Sequence, residues 1–568
     1  MTVPAGGRGA AGGPALDGGT AGRELATTTL TGGQALVRAL RTQGVDTVFG
    51  LPGVQMDWAF DALYEQREAI RVIHTRHEQA LSYMADGYAR ITGRAGVCLM
   101  VPGPGLLNAL AGLATAYACS SPVLCVTGQI PSAQIGKGRG LLHEIKHQLR
   151  AADCVTKWTG SARRPDAVPG LVREAFRQML TGHQRPAAIE VPPDVLRERA
   201  EMPECHERVE RTVPAPDPDA IERAAALLGA AERPLIFVGG GIVASGASEA
   251  LRAVAEMLEA PVLISSNGKG ALSDRHYLAE PLLAGAELSG SADAVLIVGT
   301  RFYQPASSDW GPRGQPCVQI DIDPDEIGRN RPATVGIVAD AAPALAALAE
   351  GLAAHNRVRP SRKDELAALK QRMRARMDSV LPQAAYGAAI RDALPEDGVV
   401  VSEMTQVGYW SNIGFPVYHP RTYLTMGYQG TLGAGYAIAL GAYAGAAGRP
   451  VVALCGDGGF LYNVQELSTA VRHRLNVVAV VFRDGAYGNV RRIQQDRFGG
   501  RFIASDLLNP DFVRLAESFG AAGRRADGPE QLREALRWAL RQDAPALIDV
   551  PVDPMPDMWP VLRPGYRG

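Results

Sequence analysis

The 568-residue chain is 46% hydrophobic and 21% charged, which is long and apolar enough for three ordinary domains, each with its own core. Its 58 basic and 59 acidic residues give a formal net charge of −1. No global field therefore attracts nucleic acid or an anionic membrane, and neither is expected as a partner. A small-molecule substrate remains open.

Predicted elements alternate between helix and strand along most of the chain. After a Gly-, Ala- and Thr-rich leader over 1–29, which we expect to be disordered, short apolar strand-like runs alternate with amphipathic helices. This alternation is typical of parallel sheets covered on both faces. The sequence predicts three consecutive doubly wound α/β domains. Their expected limits are 30–195, 215–355 and 380–552, followed by a tail or lid over 553–568.

The cysteines are odd in number and scattered singly, with no CxxC pair. Such usage is typical of buried thiols in a reducing cytoplasm, where we expect this protein to act. It also disfavours a zinc site or a disulfide framework. The seven cysteines are Cys98, Cys119, Cys125, Cys154, Cys205, Cys317 and Cys455.

The sharpest motif is VVALCGDGG at 451–459, in which Asp457 ends a buried strand and glycines open a helix. A carboxylate is thereby placed beside main-chain N–H groups that attract phosphate. Asp484 ends the next strand, so both carboxylates are expected at one edge of a parallel sheet, where they can share one Mg²⁺. An ordinary strand–turn–helix corner is the alternative.

With this motif the sequence resembles the thiamine-diphosphate enzymes of the acetolactate synthase and benzaldehyde lyase type, over nearly all of 30–554. In that family the GDG motif closes further along with Asn-Asn, and the second Asn binds the metal. Here Asp484 stands at the ligand position and Arg483 replaces the first Asn. The resemblance implies that Asp457, Asp484 and the main-chain carbonyl of Ala486 bind Mg²⁺, at a site more acidic than usual.

The resemblance also implies that the three domains are, in order, a pyrimidine-binding, a middle and a diphosphate-binding domain. A bulky apolar residue, here Leu432, wedges under the cofactor in the family, and the carbonyl of Gly430 would accept a hydrogen bond from it. Without the resemblance, Leu432 is more often plain core. The residues assigned to cofactor binding are Thr405, Gln406, Gly430, Leu432, Gly456, Asp457, Gly458, Gly459, Asp484, Tyr487, Gly488 and Asn489.

Glu78 closes the run TRHE, which follows a predicted strand and opens a helix. By the resemblance, its carboxyl shares a proton with the pyrimidine N1′ of a cofactor held mainly by the neighbouring chain. That sharing helps the cofactor lose the proton of its C2 carbon, which then attacks a carbonyl. Taken alone, a Glu here is typical of a helix start, where it satisfies first-turn N–H groups.

Two polar residues, Gln55 and His143, are placed by the same comparison near the reactive carbon. Benzaldehyde lyase-like enzymes have a histidine and then a glutamine at these places, so the order is reversed here. A histidine with a near-neutral pKa can shuttle protons to an alkoxide. A lone loop histidine is otherwise usually a surface residue. Gln55, Glu78, His143 and Leu432 are therefore the predicted catalytic residues.

The middle domain carries FVGGGI at 237–242 and QIDID at 319–323, which resemble half of a nucleotide-binding fold. The GxGxxG spacing is absent, and the run at 300–304 departs from the pattern of flavin-binding relatives. FAD is therefore not expected. A vestigial scaffold and an adenine-nucleotide handle such as that of coenzyme A remain open.

The predicted function is that of a carboligase or lyase, dependent on thiamine diphosphate and Mg²⁺ and similar to acetolactate synthase, acting on a 2-keto acid or 2-hydroxy carbonyl compound. A 2-hydroxyacyl-CoA lyase is the alternative within the enzyme class. A non-catalytic cofactor-binding homologue, serving as a regulatory or structural partner, is the alternative outside it. The resemblance implies a homodimer or homotetramer with active sites between subunits.

Overall fold

A computed structural model describes residues 27–203, 207–303 and 314–562. Most of the predicted leader, Cys205, Gln304 and the last residues of the predicted tail lie outside these ranges. The strands, in chain order from β1 to β20, are Thr27–Thr31, Thr47–Gly50, Arg71–Ile73, Gly96–Met100, Val123–Gly128, Trp158–Ser161, Ala187–Val191, Arg199–Pro203, Pro234–Val238, Val262–Ile264, Ala279–Pro281, Ala294–Val298, Cys317–Asp321, Val335–Val338, Val399–Ser402, Tyr423–Leu424, Val451–Gly456, Val478–Arg483, Ala522–Arg525 and Ala546–Pro551.

Helices precede and follow most of these strands, as expected for wound α/β domains. In chain order from α1 to α22 they are Gly32–Thr42, Asp57–Glu65, Glu78–Thr92, Pro104–Ala118, Gln148–Asp153, Val168–Leu180, Pro193–Arg197, Pro218–Ala230, Gly240–Ser245, Ser248–Leu258, Gly285–Ser291, Ala341–His355, Lys363–Asp378, Gln383–Ala393, Gln406–Gly414, Ala434–Gly445, Asp457–Phe460, Leu467–His473, Gly488–Phe498, Phe512–Ser518, Pro529–Ala539 and Trp559–Leu562.

Within the described residues the large sheets are three, each with six strands, all parallel. The first has the order β3-β2-β4-β5-β7-β6, the second β11-β10-β9-β12-β13-β14 and the third β16-β15-β17-β18-β20-β19. The central strands of the first and middle sheets are buried along their whole length, and those of the third are buried except for their last residue, as sheets covered on both faces require. The predicted fold class is confirmed. We call the units that hold these sheets the first, middle and third domains.

The chain enters the first domain through a small antiparallel ribbon, which sequence reasoning does not predict. Strand β1 pairs with β8, so that Thr31 lies opposite Arg199. The last three residues of the predicted leader, 27–29, therefore belong to a strand, and the partner strand lies between the predicted limits of the first and middle domains. The threonines favour extended structure, but their partner lies far away in sequence, where no local pattern reveals it.

Helices α3 and α16 join the first and third domains of one chain through a shared core. Most residues of α3 are buried, and α16 is buried over most of its length. A Cβ added at Gly87 would overlap the carbonyl oxygen of Ile438, and one at Gly441 would overlap that of Met84. The two backbones can approach this closely only because both positions are glycine.

Helix α13, which joins the middle and third domains, and the C-terminal tail both pack onto the domains that they follow. Helix α13 buries Leu366, Leu369 and Met373. In the tail, Met558 and Leu562 are buried in the same core. Among the helices that the structure describes, none combines the length and the apolar character that crossing a bilayer requires.

Candidate active site

The predicted catalytic residues of the first domain lie at the carboxyl edge of its sheet. Gln55 follows β2, Glu78 follows β3, and His143 lies in the loop after β5. Since neighbouring parallel strands point the same way, the segments that follow them meet along one edge. This is the edge at which wound α/β sheets bind ligands.

Glu78 is the first residue of α3, and its backbone and side chain are both fixed. His77 precedes the helix and accepts a hydrogen bond from the N–H of Gln79 at 3.2 Å. The side-chain amide of Asn108, on α4, donates to Oε2 of Glu78 at 3.0 Å. Sequence reasoning missed Asn108, although it is the one polar amide in the otherwise apolar helix PGLLNALAGLATAYA. The carboxyl of Glu78 is therefore aimed by a neighbouring side chain.

Gln55 and His143 form a hydrogen-bonded pair. Nδ1 of His143 lies 2.9 Å from Oε1 of Gln55, while the amide nitrogen of Gln55 donates to the carbonyl of Leu142 at 3.1 Å. Because an amide oxygen can only accept, the hydrogen of the imidazole lies on Nδ1, and Nε2 can accept a proton. His143 has a φ of 66°, and a Cβ added at Gly103 would overlap its carbonyl oxygen.

A buried amide and carboxylate network supports this edge from below. The main-chain N–H of Gly103 donates to Oε1 of Gln148 at 2.8 Å. The amide of Gln148 donates at 3.0 Å to Oε2 of Glu190, which also accepts from Gln129 at 2.8 Å. Sequence reasoning missed these residues because only the fold brings them together. The network fixes the turn that follows β4 beside His143.

In the third domain Asp457 and Asp484 lie at the carboxyl ends of the adjacent strands β17 and β18. Oδ2 of Asp457 accepts from the N–H of Gly485 at 2.9 Å and from the amide of Asn509 at 2.7 Å. Burial raises the pKa of Asp457. Burial and then the nearby charge of Asp457 raise the pKa of Asp484 to about 6. The two carboxyls are thus close enough to repel each other, as two ligands of one cation would be.

Arg483, which lies near this pair, hydrogen-bonds to a third carboxylate. Its guanidinium makes two hydrogen bonds of 2.9 Å to Asp549 on β20, an ion pair that raises the pKa of Arg483. Among the residues described, no group of three or more His, Cys, Asp or Glu side chains could hold a metal ion. A cation at Asp457 and Asp484 would therefore take its other ligands from a main-chain carbonyl, from phosphate and from water, as Mg²⁺ does.

The same edge provides donors for a diphosphate. Helices α15, α17 and α19 begin here, at Gln406, Asp457 and Gly488, and Thr405 immediately precedes the first of them. The first N–H groups of a helix have no partner within it and attract anions. A Cβ added at Gly488 would overlap Oδ2 of Asp484, so the backbone there lies directly against the predicted metal ligand. The donor set fits a diphosphate bound together with a metal.

The loop that bears Leu432 is held by a hydrogen bond to Glu403, a residue that sequence reasoning missed. Gly430 and Gly433 have positive φ values of 56° and 80°, and Leu432 between them is only half-buried, not core. The N–H of Gly433 donates to Oε1 of Glu403, and its carbonyl accepts from Asn463 at 2.6 Å. Glu403 is 1% exposed, and burial raises its pKa to about 7.

A cavity of about 670 Å³ lies at the carboxyl edge of the middle sheet and reaches the first and third domains. Asp321 lines it, and burial raises the pKa of this carboxyl to about 6. A Cβ added at Gly239 or Gly241 would overlap the backbone at Gly299, so these glycines serve the packing of two loops. The expectation that FAD is not bound stays a prediction.

These features define a class of protein: a carboxyl aimed by an amide at one sheet edge, and an edge in another domain of the same chain whose donors fit a diphosphate and a metal, are typical of thiamine-diphosphate enzymes. The family models agree. The models described as the N-terminal, central and C-terminal domains of thiamine pyrophosphate enzymes match residues 30–151, 221–348 and 403–550. The chain belongs to this family.

Several relatives match along nearly the whole chain. A "probable acetolactate synthase large subunit" of Methanocaldococcus jannaschii is 34% identical over 95% of this chain and 94% of its own. A "probable 2-ketoarginine decarboxylase" of Pseudomonas aeruginosa is 37% identical over 92% and 94%. The acetolactate synthase isozyme 2 large subunit of Escherichia coli is 31% identical over 94% and 98%. The predicted family and the dependence on thiamine diphosphate are confirmed, and the protein is an acetolactate synthase-like enzyme.

Proposed function

We propose that the protein is a Mg²⁺-dependent carboligase that decarboxylates a 2-keto acid and joins the remaining fragment to a second carbonyl compound. The single observation that carries this proposal is that Glu78 and the hydrogen-bonded Gln55–His143 pair lie at the same carboxyl edge of the first sheet. Glu78 can exchange a proton with the cofactor, and His143, held by Gln55, can exchange a proton with a substrate oxygen. The names of the relatives support the substrate class.

The third domain would hold the cofactor by its diphosphate. Asp457, Asp484 and the carbonyl of Ala486 would bind Mg²⁺, and the N–H groups that open α15, α17 and α19 would meet the phosphate oxygens. Bound thiamine diphosphate supplies a nucleophilic carbon that adds to a carbonyl and stores the electron pair when the adjacent bond breaks. Leu432 would press against it from below.

The first domain would supply the residues that transfer protons. Glu78, aimed by Asn108, holds a proton at the pyrimidine N1′. His143, with its Nδ1 hydrogen given to Gln55, presents Nε2 to a substrate oxygen and exchanges a proton with it. The bond between Gln55 and His143 fixes the ring and its tautomer, so the histidine is oriented before the substrate arrives.

We further propose that the active site lies between two subunits. Large apolar side chains are exposed beside both half-sites: Val54, Leu107 and Leu142 near the first-domain edge, and Tyr428, Tyr462, Val490, Phe498, Phe502, Ile503 and Leu508 in the third domain. Exposed apolar surface of this kind marks interaction sites.

A cytoplasmic location is supported by the cysteines, since those that the structure describes are all free thiols.

A second candidate, a 2-hydroxyacyl-CoA lyase, is favoured by one observation, the cavity of about 670 Å³ at the edge of the middle sheet. Its volume lies within the range of about 300–1,000 Å³ that is usual for small-molecule sites. Met426 and Gly427, in the loop that leads to Leu432, line the same cavity, so the acyl chain of a CoA thioester bound there would have a path toward that loop.

Three substrates separate these proposals. The protein, supplied with thiamine diphosphate and Mg²⁺, is incubated with pyruvate, with 2-ketoarginine and with a 2-hydroxyacyl-CoA, and released CO₂ and new carbonyl products are measured. We expect CO₂ release from a 2-keto acid together with a ligated product. CO₂ release with only an aldehyde as product would reduce the proposal to a decarboxylase. If only the 2-hydroxyacyl-CoA reacts, by cleavage of the carbon–carbon bond next to its thioester carbonyl, the second candidate would be established.

A further inference from the structure

We propose that Glu466, in the third domain, is the positioning residue for Glu78 of the same chain: its carboxylate holds the loop that delivers Glu78 to the active site. This inference rests on the proposed role of Glu78. Glu466 follows α17 and lies just before α18. Nothing in its sequence context connects it with a residue of the first domain.

The contacts are direct. The main-chain N–H of Arg76 lies 3.1 Å from Oε1 and 3.2 Å from Oε2 of Glu466. Oε2 also accepts from the hydroxyl of Thr469 at 2.6 Å. Glu466 is fully buried. The carboxylate therefore bonds to the backbone two residues before Glu78, across the boundary between the first and third domains.

A second contact from α18 holds the start of the same loop. The imidazole of His473 accepts from the main-chain N–H of His74 at 3.2 Å, and its carbonyl accepts from Arg71 at 2.9 Å. The loop is thus fixed to the third domain at positions 74 and 76, and the strand that precedes it is tied to the same domain by the side chain of Arg71. Only His77, which caps α3, separates position 76 from Glu78.

The chemistry of Glu466 indicates a positioning role. Its hydrogen-bond partners among the described residues are neutral N–H and O–H groups, whereas a buried carboxylate is usually retained with a cation. The carboxylate is acceptor-only and spans the Arg76 N–H with both oxygens. A glutamine of the same shape would turn one acceptor into an NH₂ donor facing that N–H, and the loop would have to shift. Asn108, on the other side, would then no longer meet the Glu78 carboxyl in the same place.

The test compares Glu466→Gln with Glu280→Gln. Glu280 is a matched control, because it is 1% exposed, lies in the middle domain, and its carboxylate oxygens have no hydrogen-bond partner among the described residues. With saturating thiamine diphosphate and Mg²⁺, the measurements are the exchange of the cofactor C2 proton, kcat, KM and the cofactor Kd. We expect Glu466→Gln to slow C2 exchange and kcat by about 10- to 100-fold, the cost of a displacement of about 1 Å, with KM and Kd within about threefold of wild type. Glu280→Gln should leave exchange at the wild-type rate.

Wild-type exchange in folded Glu466→Gln would overturn the inference. If that variant does not fold, Thr469→Val removes the hydroxyl that orients Glu466, and an exchange rate equal to wild type in this variant would overturn the inference as well. The variant Glu78→Gln distinguishes a failure of the proposed function from a failure of the role proposed for Glu466. If it exchanges as fast as wild type, the proposed function fails and the inference fails with it. If Glu78→Gln slows exchange of the C2 proton and Glu466→Gln does not, only the inference about Glu466 fails.

Discussion

At the scale of single residues, the proposed metal position carries two carboxylates where the resembling enzymes have an aspartate and an asparagine, and Arg483 is hydrogen-bonded to Asp549. We expect Asp484→Asn to raise the apparent Kd for Mg²⁺ by about tenfold or more, because one of two charges attracting the cation is lost. Asp457→Asn should weaken binding further, since Asp457 is the more deeply buried ligand. Cofactor activation titrated with Mg²⁺ measures both. An unchanged Mg²⁺ titration for Asp484→Asn would show that Asp484 is not a ligand.

The stability of the folded protein should depend on pH through the buried side chain of Glu403. Burial raises its pKa from 4.5 to about 7 in the folded state, so the folded protein keeps a proton that the unfolded chain releases. Stability contributed by this proton is therefore lost as the pH rises from about 4.5 to 7. We expect Glu403→Gln, which has no proton to lose, to gain stability relative to wild type over that window, by up to about 3 kcal/mol. Denaturant unfolding of both proteins at pH 5 and pH 8 checks this, and a difference independent of pH would contradict it.

At the scale of elements, the close approach of α3 and α16 depends on glycine. We expect Gly441→Ala to destabilise the protein by about 1–3 kcal/mol, because the added Cβ overlaps the carbonyl oxygen of Met84. Gly170→Ala, in the exposed part of α6, is the control: its Cβ would meet no atom within 4 Å, and helix propensity predicts a gain of up to about 1 kcal/mol. Thermal unfolding of the two variants should therefore shift in opposite directions. A shift of the same sign in both would contradict the packing argument.

At the scale of the whole molecule, the fold and the strand-end acids could be predicted because their signals are local. Buried parallel strands are continuous apolar runs, and a residue that ends such a run lies at the ligand-binding edge, so the positions of Asp457 and Asp484 follow from the sequence. Glu78 instead opens α3 beyond the end of its strand, and its role is implied only by the family resemblance. Asn108 and Glu466 were not found, because their importance arises only where helices of different segments meet. The pairing of β1 with β8 was missed for the same reason.

A subunit-mixing experiment tests the arrangement of the whole assembly. Glu78→Gln chains and Asp457→Asn chains should each be inactive. If Glu78 and Asp457 of one site come from different subunits, a mixed dimer has one site with both residues intact. Random mixing of equal amounts should then restore about a quarter of wild-type activity, since half the dimers are mixed and each has one working site of two. A site built within one chain predicts no recovery.

The role of Glu78 is tested most directly by the rate at which bound thiamine diphosphate exchanges its C2 proton with solvent, compared between wild type and Glu78→Gln in the presence of Mg²⁺. This measurement needs no knowledge of the substrate. We expect the variant to bind the cofactor with near wild-type affinity and to exchange the proton about 10²–10⁴ times more slowly, the usual contribution of a positioned acid–base group. Equal exchange rates in the two proteins would contradict the assignment of Glu78 as the residue that activates the cofactor.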